Sequence, residues 1–73
     1  MTKFNYDDIV YVRLDAQQKL RPGERAWVVG VTPENLRIGS HYDQFPAGNV
    51  YTIEYEDGES IDIHESDLEF KDG

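Results

Sequence analysis

Apolar residues fall in short alternating runs along this chain, with no sustained 3.6-residue repeat, which is the signature of strands rather than helices. Ile9-Val10-Tyr11-Val12-Arg13-Leu14 is rich in β-branched and aromatic residues and divides into two faces, Val10/Val12/Leu14 against Ile9/Tyr11/Arg13. The polar stretch from Asp15 to Gly23 closes on Pro22-Gly23, a turn signal. Arg25 to Val31 reads as a second strand, with Gly30 marking a bend or bulge. Thr32 at an N-cap and Pro33 at the first helical position suit the start of a single helical turn. Beyond it, Gly39, Pro46 and Gly48 break any regular element, so residues 32–48 are expected to form a long loop. In so small a chain such a loop is more often functional than idle.

The clearest local prediction is a hairpin. Asn49 to Tyr55 and Glu59 to His64 flank Glu56-Asp57-Gly58. A two-residue turn would set Ile53 against Asp62 and mix apolar with polar residues on one face. A three-residue loop instead pairs Tyr55 with Glu59, Ile53 with Ile61 and Tyr51 with Ile63, so that the apolar residues share a face. It also puts Gly58 where a left-handed residue is needed. Glu54 with Ser60, Thr52 with Asp62, and Val50 with His64 are then expected to point outward. His64-Glu65-Ser66-Asp67 reads as a short 3₁₀ turn before a last strand, Leu68-Glu69-Phe70.

Composition narrows the picture. The 73 residues allow one domain, expected to span 1–73, and a domain this small buries only about 60% of its unfolded surface. There is no Cys, which excludes disulfides, Cys-ligated zinc and a thiol nucleophile. Neither a signal peptide nor a membrane-spanning run is visible, so a soluble, cytoplasmic protein with no membrane partner is expected. The formal charge is −8, and it is segregated: residues 38–73 carry one basic and ten acidic side chains, against six and five in residues 1–37. Such a field repels phosphate backbones and attracts a basic partner.

Five short strands, long loops after the first two, a tight third loop and a one-turn connector make an all-β pattern that resembles SH3-like barrels. The resemblance is carried by Asp8 to Val12, by Pro22 to Val31, by Tyr51 to Gly58 and by Ile63 to Leu68. It implies a five-stranded antiparallel SH3-like barrel with a short 3₁₀ turn before the last strand. Tudor, KOW and bacterial immunity domains share this look, and fold does not fix function. Most similar are the small, acidic, catalytically silent immunity proteins of polymorphic toxin systems. That resemblance implies a bacterial, cytoplasmic protein that neutralises one toxin domain by occluding it.

No motif carries catalysis, so no enzyme activity and no cofactor are expected. Ser40, His41 and Asp43 have the residue types of a hydrolase triad, but neighbouring loop positions do not supply an oriented nucleophile, base and oxyanion hole. His64 with Asp62 offers two metal ligands without a third. Direct nucleic-acid binding is disfavoured, the only basic cluster being Lys19, Arg21 and Arg25. Trp27, Tyr51, Tyr55 and Phe70 are expected to fill the core. Tyr42 and Phe45 sit in the long loop, where they either cover the barrel or anchor a partner. The expected partner surface is the acidic hairpin face, Glu54, Glu56, Asp57, Glu59, Asp62, His64, Glu65 and Asp67, continued by Tyr42 and Phe45. The competing reading is a Tudor-like or KOW-like adaptor, which binds a modified basic peptide or a ribonucleoprotein. Its Tudor-like form requires Trp27, Tyr42, Phe45, Tyr51 and Tyr55 to converge on one aromatic cage.

Overall fold

The computed structural model describes residues 3–70. Five strands form one antiparallel sheet: β1 (Ile9–Val12), β2 (Arg25–Thr32), β3 (Val50–Tyr55), β4 (Ser60–His64) and β5 (Leu68–Glu69). Their spatial order is β4-β3-β2-β1-β5. The two edge strands, β4 and β5, are joined by the 3₁₀ turn Glu65–Asp67 but do not pair, so the sheet is open. No α-helix occurs among the described residues.

The hairpin forms in the three-residue register. Tyr51 lies opposite Ile63, Ile53 opposite Ile61 and Glu54 opposite Ser60. Tyr55 donates its N–H to the Glu59 carbonyl at 2.8 Å, and Gly58 closes the loop onto the Tyr55 carbonyl at 3.0 Å with φ at +91°. The β2–β3 register slips between Val28 and Gly30, the irregularity that the strand glycine signals. The one-turn helix after Thr32 starts a residue late: the 3₁₀ turn is Glu34–Leu36, capped by the Pro33 backbone without a side-chain bond.

One face of the sheet buries Val10, Val12, Ala26, Val28, Tyr51, Ile53, Tyr55, Ile63 and Leu68, and Phe4 lies over them fully buried. Phe4 meets Tyr51 edge-on at 5.3 Å and Phe70 at 4.8 Å. Four sequence expectations fail here. Trp27 points to the opposite face, since the period of two that buries Ala26 and Val28 turns position 27 outward between Ile9 and Glu54. Phe70 remains 48% exposed, following a β5 that ends at Glu69. Leu14 is 82% exposed because β1 stops at Val12 and the chain turns, Ala16 donating to the Arg13 carbonyl at 3.1 Å. Val50 and His64 do not face solvent: they are 1% and 7% exposed, and the loop that precedes β3 brings the Ala47 carbonyl to the His64 ring.

Gly48 and Gly58 both have positive φ but stand in different surroundings. A Cβ at Gly58 meets nothing within 4 Å, whereas at Gly48 (φ +127°) it would collide with the Glu65 carboxylate and lie 2.8 Å from His64 Nε2. Gly58→Ala is therefore expected to cost roughly 1 kcal/mol, the backbone strain alone. Gly48→Ala should cost clearly more, because strain and steric displacement add. Urea unfolding midpoints of the two variants test this order, and equal midpoints would contradict it.

Candidate functional site: a groove beside the edge strand

The acidic tip of the hairpin is answered from within the chain. Arg21, held in a left-handed conformation (φ 62°), pairs with Glu24 at 2.7 Å, with Asp57 at 3.1 Å and with Glu59 at 3.1 Å. Its guanidinium lies 4.2 Å from the centre of the Tyr55 ring. Arg25 pairs with Glu56. Exposed pairs of this kind each contribute about 0–1 kcal/mol, and with two guanidiniums set against four carboxylates they neutralise the tip only in part. The same pairs occupy Arg21 and Arg25, which formed the basic cluster read from the sequence. The Glu24 hydrogen bond raises the Arg21 pKa further above its ordinary value. The Glu59 N–H, donated to Asp57 at 3.1 Å, holds the Asp57 carboxyl below its ordinary range, and Arg21 adds to this.

Arg37 organises the long loop. Its guanidinium donates to four backbone carbonyls: Tyr42 at 2.6 Å, Phe45 at 3.0 Å, Pro46 at 2.6 Å and Gly48 at 2.9 Å. Loop carbonyls that no ladder pairs need such donors wherever water is excluded. The loop thereby folds into a second 3₁₀ turn, Ser40–Gln44, with the His41 ring 5.0 Å from Tyr42 and 5.9 Å from Phe45. His41 Nε2 lies 2.7 Å from Asp62 Oδ2, and Thr52 Oγ1 donates to the other Asp62 oxygen at 2.6 Å, so the loop is tied to the outer face of β4.

The far end of β4 is also committed. Ser66 donates its backbone N–H to His64 Nδ1 at 3.1 Å, which makes Nε2 the protonated nitrogen; it donates to the Ala47 carbonyl at 2.8 Å. Glu65 accepts the Asn49 N–H at 2.9 Å. His64 and Asp62 thus turn to different partners and share no ligand site. Among the described residues no cluster of three or more His, Asp or Glu side chains is arranged to hold a metal.

A groove of about 340 Å³ runs along β4. Gln17, Lys19 and Leu20 from the first loop form one wall, and Gln44, Phe45 and Pro46 from the second loop form the other. Ile61, Asp62, His64, Ser66 and Asp67 line the remainder. Four of the ten residues expected at a partner surface therefore meet here: Phe45, Asp62, His64 and Asp67. Glu56, Asp57 and Glu59 belong to the internally paired tip, Glu65 holds Asn49, and Tyr42 lies beside Arg37. Glu54 stands on the outer sheet face opposite Trp27. Leu20, Pro46 and Ile61 were not singled out by sequence reasoning as contact residues, and Lys19 was named only in the basic cluster of the first loop, because a wall made by two distant loops leaves no local spacing to read. Comparison of the chain with protein-family models, with curated proteins and with solved structures gives no match.

Arg37→Lys is expected to loosen residues 37–48, because an ammonium has three donors and lacks the planar fork that reaches several carbonyls at once. Amide hydrogen exchange should rise across that loop while the β3–β4 amides keep their protection; a uniform response would refute a local role. For Asp57 the lowered folded-state pKa means that its contribution is present above the ordinary carboxylate range and is lost as pH falls through the depressed value. A carboxyl titration by NMR should find Asp57 below an ordinary Asp, and a value at or above that range would contradict the Glu59 contact.

Proposed function

We propose that the chain is a non-catalytic protein-binding domain of SH3-like barrel architecture, which docks a basic partner in the groove beside β4. Supporting the barrel reading are the strand order β4-β3-β2-β1-β5 and the 3₁₀ turn linking the two edge strands. The observation that carries the functional reading is the make-up of the groove: apolar Leu20, Phe45, Pro46 and Ile61 share it with two carboxylates, Asp62 and Asp67, against one ammonium, Lys19, in a chain of net charge −8. Apolar contact supplies residence time and the acidic field supplies steering and sign selectivity. The finer form of the proposal is an immunity protein that acts in the cytoplasm and occludes a basic toxin or effector domain.

The aromatic-cage adaptor loses its motivation, since the required rings do not converge. Tyr51 and Tyr55 are buried, Trp27 lies on the other face of the sheet beside Arg25, and Tyr42 and Phe45 flank His41. A KOW-like contact through the first loop is weakened in turn, with Arg21 and Arg25 engaged by carboxylates.

The test is to immobilise the chain, capture proteins from its native source and elute with salt, then measure the kinetics of the basic protein released. Association should slow with added salt, and Asp67→Lys should slow it further. Phe45→Ala should speed dissociation by roughly tenfold with little change in association. A partner indifferent to salt and to both variants would place the interface elsewhere and overturn the proposal.

A further inference from the structure

β4 pairs with β3 on one side and with no strand on the other. Along an antiparallel pair, residues alternate between those whose N–H and C=O face the partner strand and those whose groups face away. The bonds from Tyr55 N to Glu59 O at 2.8 Å and from Glu65 N to Asn49 O at 3.0 Å fix the phase. Ile61 and Ile63 therefore bond β3, and the N–H and C=O groups of Ser60, Asp62 and His64 face the open side. The His64 carbonyl caps the 3₁₀ turn Glu65–Asp67 and accepts within it, so the groups left without a strand partner among the described residues are the three N–H groups and the Ser60 and Asp62 carbonyls.

The open side of β4 is also the groove. The first loop covers the core face of the sheet there: Leu20 packs against the core and its carbonyl accepts the Tyr55 hydroxyl at 2.6 Å. The second loop covers the outer face, through His41 on Asp62. An unpaired strand edge thus runs between two walls, one on each face of the sheet. Asp62 does not reach across that edge as a guarding charge, because Thr52 and His41 hold its carboxylate on the outer face.

We infer that this edge binds its partner by strand addition, taking up an extended basic segment as a sixth strand. The inference rests on the groove proposed above and names how it recognises its occupant. Successive side chains of an added strand point to opposite faces. Apolar ones would meet Leu20 on the core side, and Lys or Arg would meet Asp62 on the outer side. Main-chain bonds to Ser60, Asp62 and the His64 N–H supply affinity, and Asp62 on the outer face supplies the selection for charge.

The probe is a capped peptide of about seven residues alternating Lys and Val, compared with the same peptide N-methylated at alternate positions in each phase and with a Glu/Val counterpart. The unmethylated Lys/Val peptide should slow exchange of the Ser60, Asp62 and His64 amides by roughly tenfold and leave the already bonded Ile61 and Ile63 unchanged. At least one methylated phase and the Glu/Val peptide should fail to do so. Asp62→Asn, which keeps an acceptor for Thr52, should weaken Lys/Val binding while the fold is retained. Equal binding by both methylated peptides would overturn strand addition and leave the basic-groove reading intact. No Lys/Val binding up to about 1 mM would overturn both. Protection of the same three amides that rises with protein concentration in the absence of peptide would assign the edge to a second copy of the chain and overturn the inference.

Discussion

Two buried phenols hold the N-terminal segment and the first loop against the sheet. Tyr51 and Tyr55 sit on the same face of β3 with their rings in the core, 0% and 1% exposed. A hydroxyl enclosed in a small core is costly unless bonded. Tyr51 Oη accepts the backbone N–H groups of Lys3 and Phe4, at 2.9 and 3.2 Å, and so fixes the segment that lays Phe4 over the sheet. Tyr55 Oη donates to the Leu20 carbonyl at 2.6 Å and fixes the first loop. Because both phenols belong to one strand, the hairpin register decides where the N-terminal segment and the first loop can lie. One of the two groove walls therefore depends on a hydrogen bond made inside the core.

The other wall depends on a cation used as a scaffold. Arg37 gathers carbonyls from Tyr42 to Gly48, and the gathered loop presents His41 to β4 and Phe45 and Pro46 to the groove. A loop of this length would otherwise leave many backbone acceptors competing for water. One planar guanidinium answers four of them without a strand or a helix.

Charge in this chain is distributed by pairing as much as by count. The ten acidic residues in residues 38–73 suggest a uniformly negative half. Folding offsets part of the charge of Glu56, Asp57 and Glu59 by bringing Arg21 and Arg25 across from the first half. Asp67 and Asp62 stand beside apolar residues and Lys19 in the groove, a more selective arrangement than a featureless acidic surface. Selectivity for a partner comes from such local contrast, whereas net charge governs solubility and encounter rate.

Most of the strand pattern was legible in the sequence because it is set by local rules. The period of two placed Val10, Val12, Tyr51, Ile53 and Ile63 on the core face, and Asp57-Gly58 allowed only one hairpin loop that kept them together. Gly30 announced the register slip. What the sequence concealed was everything decided by two distant segments meeting. Phe4 gave no periodic signal, yet it caps the core through a phenol 47 residues away in sequence. Trp27 looked like core by size and is outside by parity. His64 looked exposed by parity, and is buried because a loop 17 residues earlier brings the Ala47 carbonyl to its ring. The groove itself has no sequence signature: its walls are loops whose positions follow from Tyr55 and Arg37, and its base is the edge left when β4 and β5 do not pair. Alternation and turn chemistry act between neighbours and can be read from one dimension, whereas closure, coverage and charge pairing are long-range and exist only after the chain has folded.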